Sequence, residues 1–335
     1  MNVLAIRLAR FGDVVLLLPA LGRLKAVLPD SRLTLLTGGP CGPLAEMCPA
    51  IDHVISVDRV SMRDGSRLRA IQDIGRLLRN VRSRGFDLTI DFHGLRETSL
   101  LAWLSGSGQR LGLKRFDQSY LGFCFNLEPV AEDKTIHVAN MFMRIAERGS
   151  GGSGLGGEPL APPLVVPESA RAWTASVLPA GPRVVLYVDA PVPERIWPPE
   201  RFAAVGDYAA GHWNSGVVVL SGPSGGRLVQ KILGVARYGA EFHAFSNLTI
   251  PQLAAVVESG TLLISNDTGP MHLGPAFGVP TLGLFSVGVP EHFRPSGVGD
   301  QFVQGNPIEK IEVEEVIGRI DRMWATPARD THRDA

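Results

Sequence analysis

Short apolar runs recur along this chain, each bounded by turn residues and each followed by a longer amphipathic stretch. Strands that are apolar without alternation are buried on both faces, as in a parallel sheet covered by helices on either side. One series predicts strands at 3–8, 32–37, 53–57 and 88–92, with helices at 14–28, 67–84 and 96–105. A second predicts strands at 183–188, 216–221, 242–245, 262–265 and 281–285, with helices at 199–210, 225–237, 250–258 and 270–277. The last helix, 312–325, carries Val313, Val316, Ile317, Ile320 and Met323 on one face. Between the series lies Gly-Ser-Gly-Gly-Ser-Gly-Leu-Gly-Gly-Glu-Pro-Leu-Ala-Pro-Pro at 149–163, flexible in its Gly/Ser part and stiffened by proline at its end. The pattern predicts an α/β chain with a domain at 1–150, a linker at 151–165, a second domain at 166–325 and a frayed polar tail at 326–335.

With 33 basic and 33 acidic residues, the chain lacks the cationic surplus of a general nucleic-acid binder, so no nucleic acid is expected as a partner. Cys41, Cys48 and Cys124 are odd in number and have no CxxC spacing, which predicts neither a disulfide framework nor a zinc site. The arginines and apolar run at the start are not read as a signal peptide, because Asp13 interrupts them and the run before it already reads as a buried strand. No apolar run reaches the length of a membrane span. A cytoplasmic protein is expected, with peripheral contact to the inner face of a membrane left open.

Two strand-to-helix corners carry the candidate chemistry. Residues 264–273 read Ile-Ser-Asn-Asp-Thr-Gly-Pro-Met-His-Leu. An apolar strand there enters a polar turn and then a helix that Asp267 or Thr268 can cap, with Pro270 tolerated in its first turn. Free amides and the positive helix end at such a corner suit a phosphate, and His272 adds a donor. At the other corner, the strand 3–8 meets a turn containing Gly12, and Asp13 opens a helix with Val14, Leu17, Leu18, Leu21 and Leu24. Asp13 can cap that helix and also act as a general base, since ligands of open α/β sheets sit at the carboxyl ends of strands.

The motifs together resemble family 9 glycosyltransferases, the bacterial heptosyltransferases of lipopolysaccharide core assembly, over nearly the whole chain. They are Ile-Arg-Leu-Ala-Arg-Phe-Gly-Asp-Val-Val-Leu-Leu-Leu-Pro-Ala-Leu (6–21), Phe-Asp-Leu-Thr-Ile-Asp-Phe-His-Gly-Leu-Arg (86–96) and Arg-Leu-Gly (110–112). Further on come Arg-Ile-Trp-Pro-Pro-Glu-Arg-Phe (195–202), Ser-Asn-Asp-Thr-Gly-Pro-Met-His-Leu (265–273) and Gly-Val-Pro-Thr-Leu-Gly-Leu-Phe (278–285). The resemblance implies a GT-B fold, two Rossmann-like doubly wound domains facing across a cleft. It implies inverting transfer from an ADP-sugar, usually ADP-heptose, to an anionic glycolipid, with no metal and no cofactor. By resemblance, Asp13 is the base and Arg195 is catalytic. Gly222, Asp267, Thr268, Gly269, Met271 and His272 bind the donor. Arg10, Gly12, His93 and Arg96 bind the acceptor. Arg59, Arg63, Arg67, Arg110, Lys114 and Arg115 are further cations that an anionic acceptor could meet.

This sequence also departs from the family pattern. Arg195 replaces a lysine, and Gly225 and Gly226 stand where a glutamate usually follows Gly-Pro. Val188-Asp189-Ala190-Pro191 replaces a phosphate-contacting turn, Asn247 lies in a loop lacking the usual Gly and basic residue, and His93 replaces glutamine. The alternatives are a catalytically degenerate binder of nucleotide or glycan, and a GT-B nucleotide-sugar epimerase.

Overall fold

The computed structural model describes residues 1–58, 67–152 and 164–325. The chain divides into two compact units, Met1–Val165 and Val166–Ala335. The first contains the strands β1 (Asn2–Arg7), β2 (Arg32–Gly38), β3 (His53–Val57), β4 (Leu88–Asp91), β5 (Gln109–Lys114) and β6 (Val130–Ala131). Its helices are α1 (Phe11–Val27), α2 (Gly42–Glu46), α3 (Arg67–Ser83), α4 (Arg96–Leu104) and α5 (Val138–Gly149). All pairings are parallel, in the order β3-β2-β1-β4-β5-β6.

The second unit contains β7 (Arg183–Tyr187), β8 (Gly216–Ser221), β9 (Phe242–Ser246), β10 (Leu262–Asn266), β11 (Thr281–Phe285) and β12 (Gln301–Gln304). Its helices are α6 (Glu168–Val177), α7 (Pro199–Trp213), α8 (Gly226–Val235), α9 (Ile250–Glu258), α10 (Leu273–Ala276), α11 (Pro290–Phe293) and α12 (Val313–Ala325). This sheet is also wholly parallel, in the order β12-β11-β10-β7-β8-β9. Renumbered from its own first strand, it has the strand order of the first unit. Both sheets are thus doubly wound.

Burial explains why these segments pair. Val3 to Ile6 of β1 and Leu262 to Ile264 of β10 have almost no exposed surface, so both faces of each strand are covered. Helix α1 buries Val14, Leu17, Leu18, Leu21 and Leu24, each fully buried leucine contributing roughly 1.5–3 kcal/mol. Helix α5 packs on α1, and its Phe142 meets Phe92 edge-to-face at 6.1 Å. In the second unit the core gathers around Trp197 and Phe202, whose rings lie 5.1 Å apart and nearly perpendicular.

Three local expectations are corrected. Helix α1 begins at Phe11, with Arg10 in the capping position, so Asp13 is the third helical residue and not the cap. Neither Thr268 nor Asp267 caps through its side chain: Thr268 occupies the cap position without a side-chain bond. The helix expected at 270–277 is a 3₁₀ turn, Gly269–His272, followed by the single turn α10. Pro270 and Pro275 lack amide hydrogens, and Pro275 cannot donate to Met271, which keeps this helix short. Residues 153–163 of the expected linker and the expected tail 326–335 lie outside the described residues.

In each sheet the strand order reverses between the first and fourth strands, β1 and β4 in one unit, β7 and β10 in the other. The crevice outside the carboxyl ends at such a reversal is where open α/β sheets bind ligands.

Candidate functional site

In the first unit, β1 ends on Arg7, a cation with almost no exposed surface. Arg7 donates from Nη1 to the carbonyl oxygen of Phe92, just past β4, and from Nη2 to Asp13 Oδ1, both at 2.8 Å. Its guanidinium stacks over the Phe142 ring at 4.7 Å. Burial lowers the Arg7 pKa, Asp13 opposes this, and a guanidinium remains charged regardless. One oxygen of Asp13 is therefore fixed by a cation tying β1 to β4. Oδ2 makes no hydrogen bond among the described residues, and the side chain is 27% exposed. Gly12 is buried beside it and Arg10 is exposed. Beneath them, burial and then Asp13 push the Cys41 thiol up, away from thiolate character.

The turn after β4 is built by Asp91, which has no exposed surface. Its carboxylate accepts from the amides of His93 (2.9 Å) and Gly94 (3.1 Å) and from Thr98 Oγ1 (2.9 Å). Burial raises its pKa to about 6 despite those bonds and nearby Arg7. Gly94 has φ +70°, and a side chain there would strike the Leu113 carbonyl oxygen. This turn presents His93, which is largely buried, and leads to Arg96, which is exposed at the start of α4. Arg115 donates to the His93 carbonyl oxygen at 3.4 Å. Lys114 is exposed at the carboxyl end of β5. Arg110 is not part of this edge: it lies near the amino end of β5 and donates to the carbonyl oxygens of Cys124 and Ser107. Arg59 and Arg63 lie outside the described residues, as does the side chain of Arg67.

In the second unit, the turn after β10 places Asp267 against Arg195, which follows β7. Arg195 Nη1 lies 3.1 Å from Asp267 Oδ2 and donates to the Asp267 carbonyl oxygen at 3.3 Å. The buried Arg195 Nε has no hydrogen-bond partner among the described residues. Burial raises the Asp267 pKa and Arg195 counters it. A Cβ on Gly288 would land on the Asp267 carboxylate, so bare backbone packs there. The Arg195 turn is pinned from several sides. Trp197 donates its amide to Asn266 Oδ1 (3.2 Å) and its indole N–H to the Ile311 carbonyl oxygen (3.0 Å). Asn266 Nδ2 donates to the Val188 carbonyl oxygen (2.9 Å), and Ser286 Oγ to that of Glu194 (2.5 Å).

Thr268 and Gly269 are half-exposed at the start of the 3₁₀ turn, where the first amides have no partner within the turn. His272 is largely buried. Met271 has no exposed surface and packs against Gly283. Gly222, after β8, faces a cluster not anticipated from sequence. Asp189 Oδ2 and the Tyr187 hydroxyl lie 3.1 and 3.4 Å from where a Gly222 Cβ would be, and Asp189 also borders Gly225. Ser221 Oγ is buried there without a hydrogen-bond partner among the described residues. Burial, then Asp189, push the Tyr187 hydroxyl up to about 12, keeping it a neutral donor.

The model of glycosyltransferase family 9 (heptosyltransferase) matches residues 74–316, running from α3 of the first unit through the reversal point of the second. The chain belongs to glycosyltransferase family 9. A crystal structure of a family 9 glycosyltransferase from Veillonella parvula superposes with a TM-score of 0.84 at 23% identity, covering 97% of each chain. The Escherichia coli ADP-heptose lps heptosyltransferase II gives 0.81 at 16% identity, covering 97% of this chain and 99% of that one. These likenesses place the two sheets in the GT-B fold. A Haemophilus influenzae protein, named a glycosyltransferase only by inference, is 36% identical over 110 residues, 33% of this chain and 30% of that protein.

Of the family 9 chain's residues described above, sequence reasoning passed over Arg7, Asp91, Asp189 and Tyr187. Arg7 and Asp91 had a legible signal: charges inside otherwise apolar strands, which are buried only when paired or hydrogen-bonded. Asp189 was visible as a departure, but not its contact with Gly222 and Gly225, which arises between strands.

Proposed function

We propose that this family 9 glycosyltransferase moves a sugar, with inversion, from an ADP-sugar held by the second unit to a hydroxyl of an anionic glycolipid held by the first. The observation that carries this reading is Asp13: Arg7 holds one carboxylate oxygen at a sheet reversal point and leaves the other without a partner among the described residues. Direct displacement needs such a base for the acceptor hydroxyl. It also needs positive charge where the diphosphate departs. Arg195 and the amides at Thr268 and Gly269 supply this, and a guanidinium can pair bidentately with phosphate. Asp267 and Asp189 repel phosphate and therefore face hydroxyls. Asp189, Tyr187 and Ser221 offer two acceptor-capable groups and a neutral donor to a sugar diol, which compensates for the carboxylate missing at Gly225. His272 lines the donor side, and His93 and Arg96 the acceptor side. The donor is ADP-heptose and the acceptor a lipopolysaccharide core or related glycan, met at the cytoplasmic face of the membrane.

The test is transfer from a panel of ADP- and UDP-sugars to truncated lipopolysaccharide, wild type against Asp13→Asn, with the product anomer read by NMR. The expected outcome is inverted product from an ADP-sugar and a loss of about 10²–10⁴ in kcat with ADP affinity retained. A variant with unimpaired kcat would remove Asp13 as the base. ADP binding without turnover of any donor would favour the binder reading.

A further inference from the structure

Helix α3 is amphipathic, and its apolar stripe is covered along only half its length. At about 100° per residue, Ile71, Ile74, Leu78 and Val81 share one face. Toward the end of the helix, Val81 is fully buried and Leu77 and Leu78 pack on the first unit's core around Leu4, Ile6 and Leu36. One to two turns earlier the same face is exposed: Leu68 is 75%, Ile71 66% and Ile74 46% exposed. Scattered exposed aliphatics need no explanation. Three on consecutive turns, continuing a stripe that is core elsewhere, give the start of the helix an exposed apolar face.

The charge on this helix is one-sided. Residues 68–84 hold five arginines (69, 76, 79, 82 and 84) against the single carboxylate Asp73. Asp73 is taken by Arg76 at 3.0 Å. Arg79 and Arg82 are exposed and border the apolar stripe, while Arg69 and Arg76 lie on the far face. From neighbouring α4, which touches α3, Arg96 and Glu97 are the charged residues of the first turn. An apolar stripe rimmed by cations, on a helix of low overall hydrophobicity, is the pattern of a helix lying in a membrane interface. No helix among the described residues is long and apolar enough to cross a membrane, so contact from the surface is the geometry open to this face. Because α3 starts at the carboxyl edge of the sheet, its bare end shares that edge with Asp13 and His93.

We propose that the first two turns of α3 are an interfacial anchor: Leu68, Ile71 and Ile74 enter the acyl boundary of an anionic bilayer, and Arg79 and Arg82 beside the stripe hold its headgroups. Such a contact lays the acceptor edge of the first unit on the surface where a lipid-linked saccharide would be found. The anchor is measured without donor or acceptor, so its failure is separate from that of the transferase reading.

The test is flotation of the full-length protein with vesicles of phosphatidylcholine alone and with about 30 mol% phosphatidylglycerol at low salt. Binding to anionic vesicles is expected to exceed that to neutral ones by about tenfold or more. It should collapse near 0.5 M salt, where screening reaches only a few Å. The double substitution Ile71→Glu with Ile74→Glu is expected to reduce binding to the neutral-vesicle level with an unchanged circular dichroism spectrum. Ile71→Trp, which keeps the face apolar and favours the interface, is expected to strengthen it. Undiminished binding of the double-glutamate variant overturns the proposal, as does equal binding to both vesicle types. So does self-association of the wild type, seen in sedimentation velocity and abolished by the same pair, since the face would then belong to a second copy.

Discussion

Asp91 illustrates how a residue can shape a site at a cost to the fold. Its carboxylate organises the His93–Gly94 turn, yet burial lifts its pKa to about 6. An unfolded aspartate ionises near 4, so between roughly pH 4 and 6 the native state holds the extra proton. Its contribution to stability therefore falls as pH rises through that window and stays about 3 kcal/mol lower above it. Asp91→Asn cannot ionise, so its stability relative to wild type should rise by up to that amount between about pH 4.5 and 7. Urea unfolding at the two pH values checks this, and a constant difference would show that Asp91 is ionised throughout in the fold. Gly288 makes the complementary case in the second unit, because only a residue without Cβ leaves room for the Asp267 carboxylate. Gly288→Ala should force that carboxylate away from Arg195, cost about 1–3 kcal/mol, and weaken ADP-sugar binding, as calorimetry would show.

Elements differed in how plainly they could be read. Strands β3, β8 and β11 and helix α9 occupy the spans that their apolar runs predict, because local pattern and tertiary burial agree there. Helix α5 was missed although it is strongly amphipathic. Its start is capped by the Nδ1 of His137, which accepts from the Ala139 amide at 3.2 Å, and histidine is not among the usual capping residues. Strands β5 and β12 were missed because their ends are polar and exposed, so neither reads as a continuous apolar run. Asp13, Arg195 and Asp267 could be read from motif and position, whereas their partners Arg7 and Gly288 are fixed by three-dimensional contacts. The turn Pro193–Arg195 is an element whose shape is set by what grips it. Trp197→Phe removes the indole bond to Ile311 and some buried area, an expected loss of about 1–3 kcal/mol. If the turn positions Arg195, that substitution also lowers donor affinity, whereas loss of stability alone would mark Trp197 as a packing residue.

For the whole molecule, the division at Val165–Val166 gives each sheet its own core, each with a separate reversal point. A ligand that binds one native unit stabilises that unit, by about 2.7 kcal/mol at one hundred times its Kd. ADP is therefore expected to slow hydrogen exchange in the second unit, at the turns after β7, β8 and β10, and to leave exchange around Asp13 and Asp91 unchanged. Slowing confined to the first unit would place the nucleotide on the other sheet and reverse the donor and acceptor assignments. Since every described strand in both sheets is parallel, each sheet collects its carboxyl ends on one rim, and Asp13, Arg195, Asp267 and Gly222 lie on the loops and helix starts at that rim. Positions such as Asp189 and Gly222 can then be exchanged while the strands beneath them keep their own packing constraints. A lineage with this scaffold can change which sugar it handles by editing a few rim positions, so specificity and architecture can be inherited at different rates.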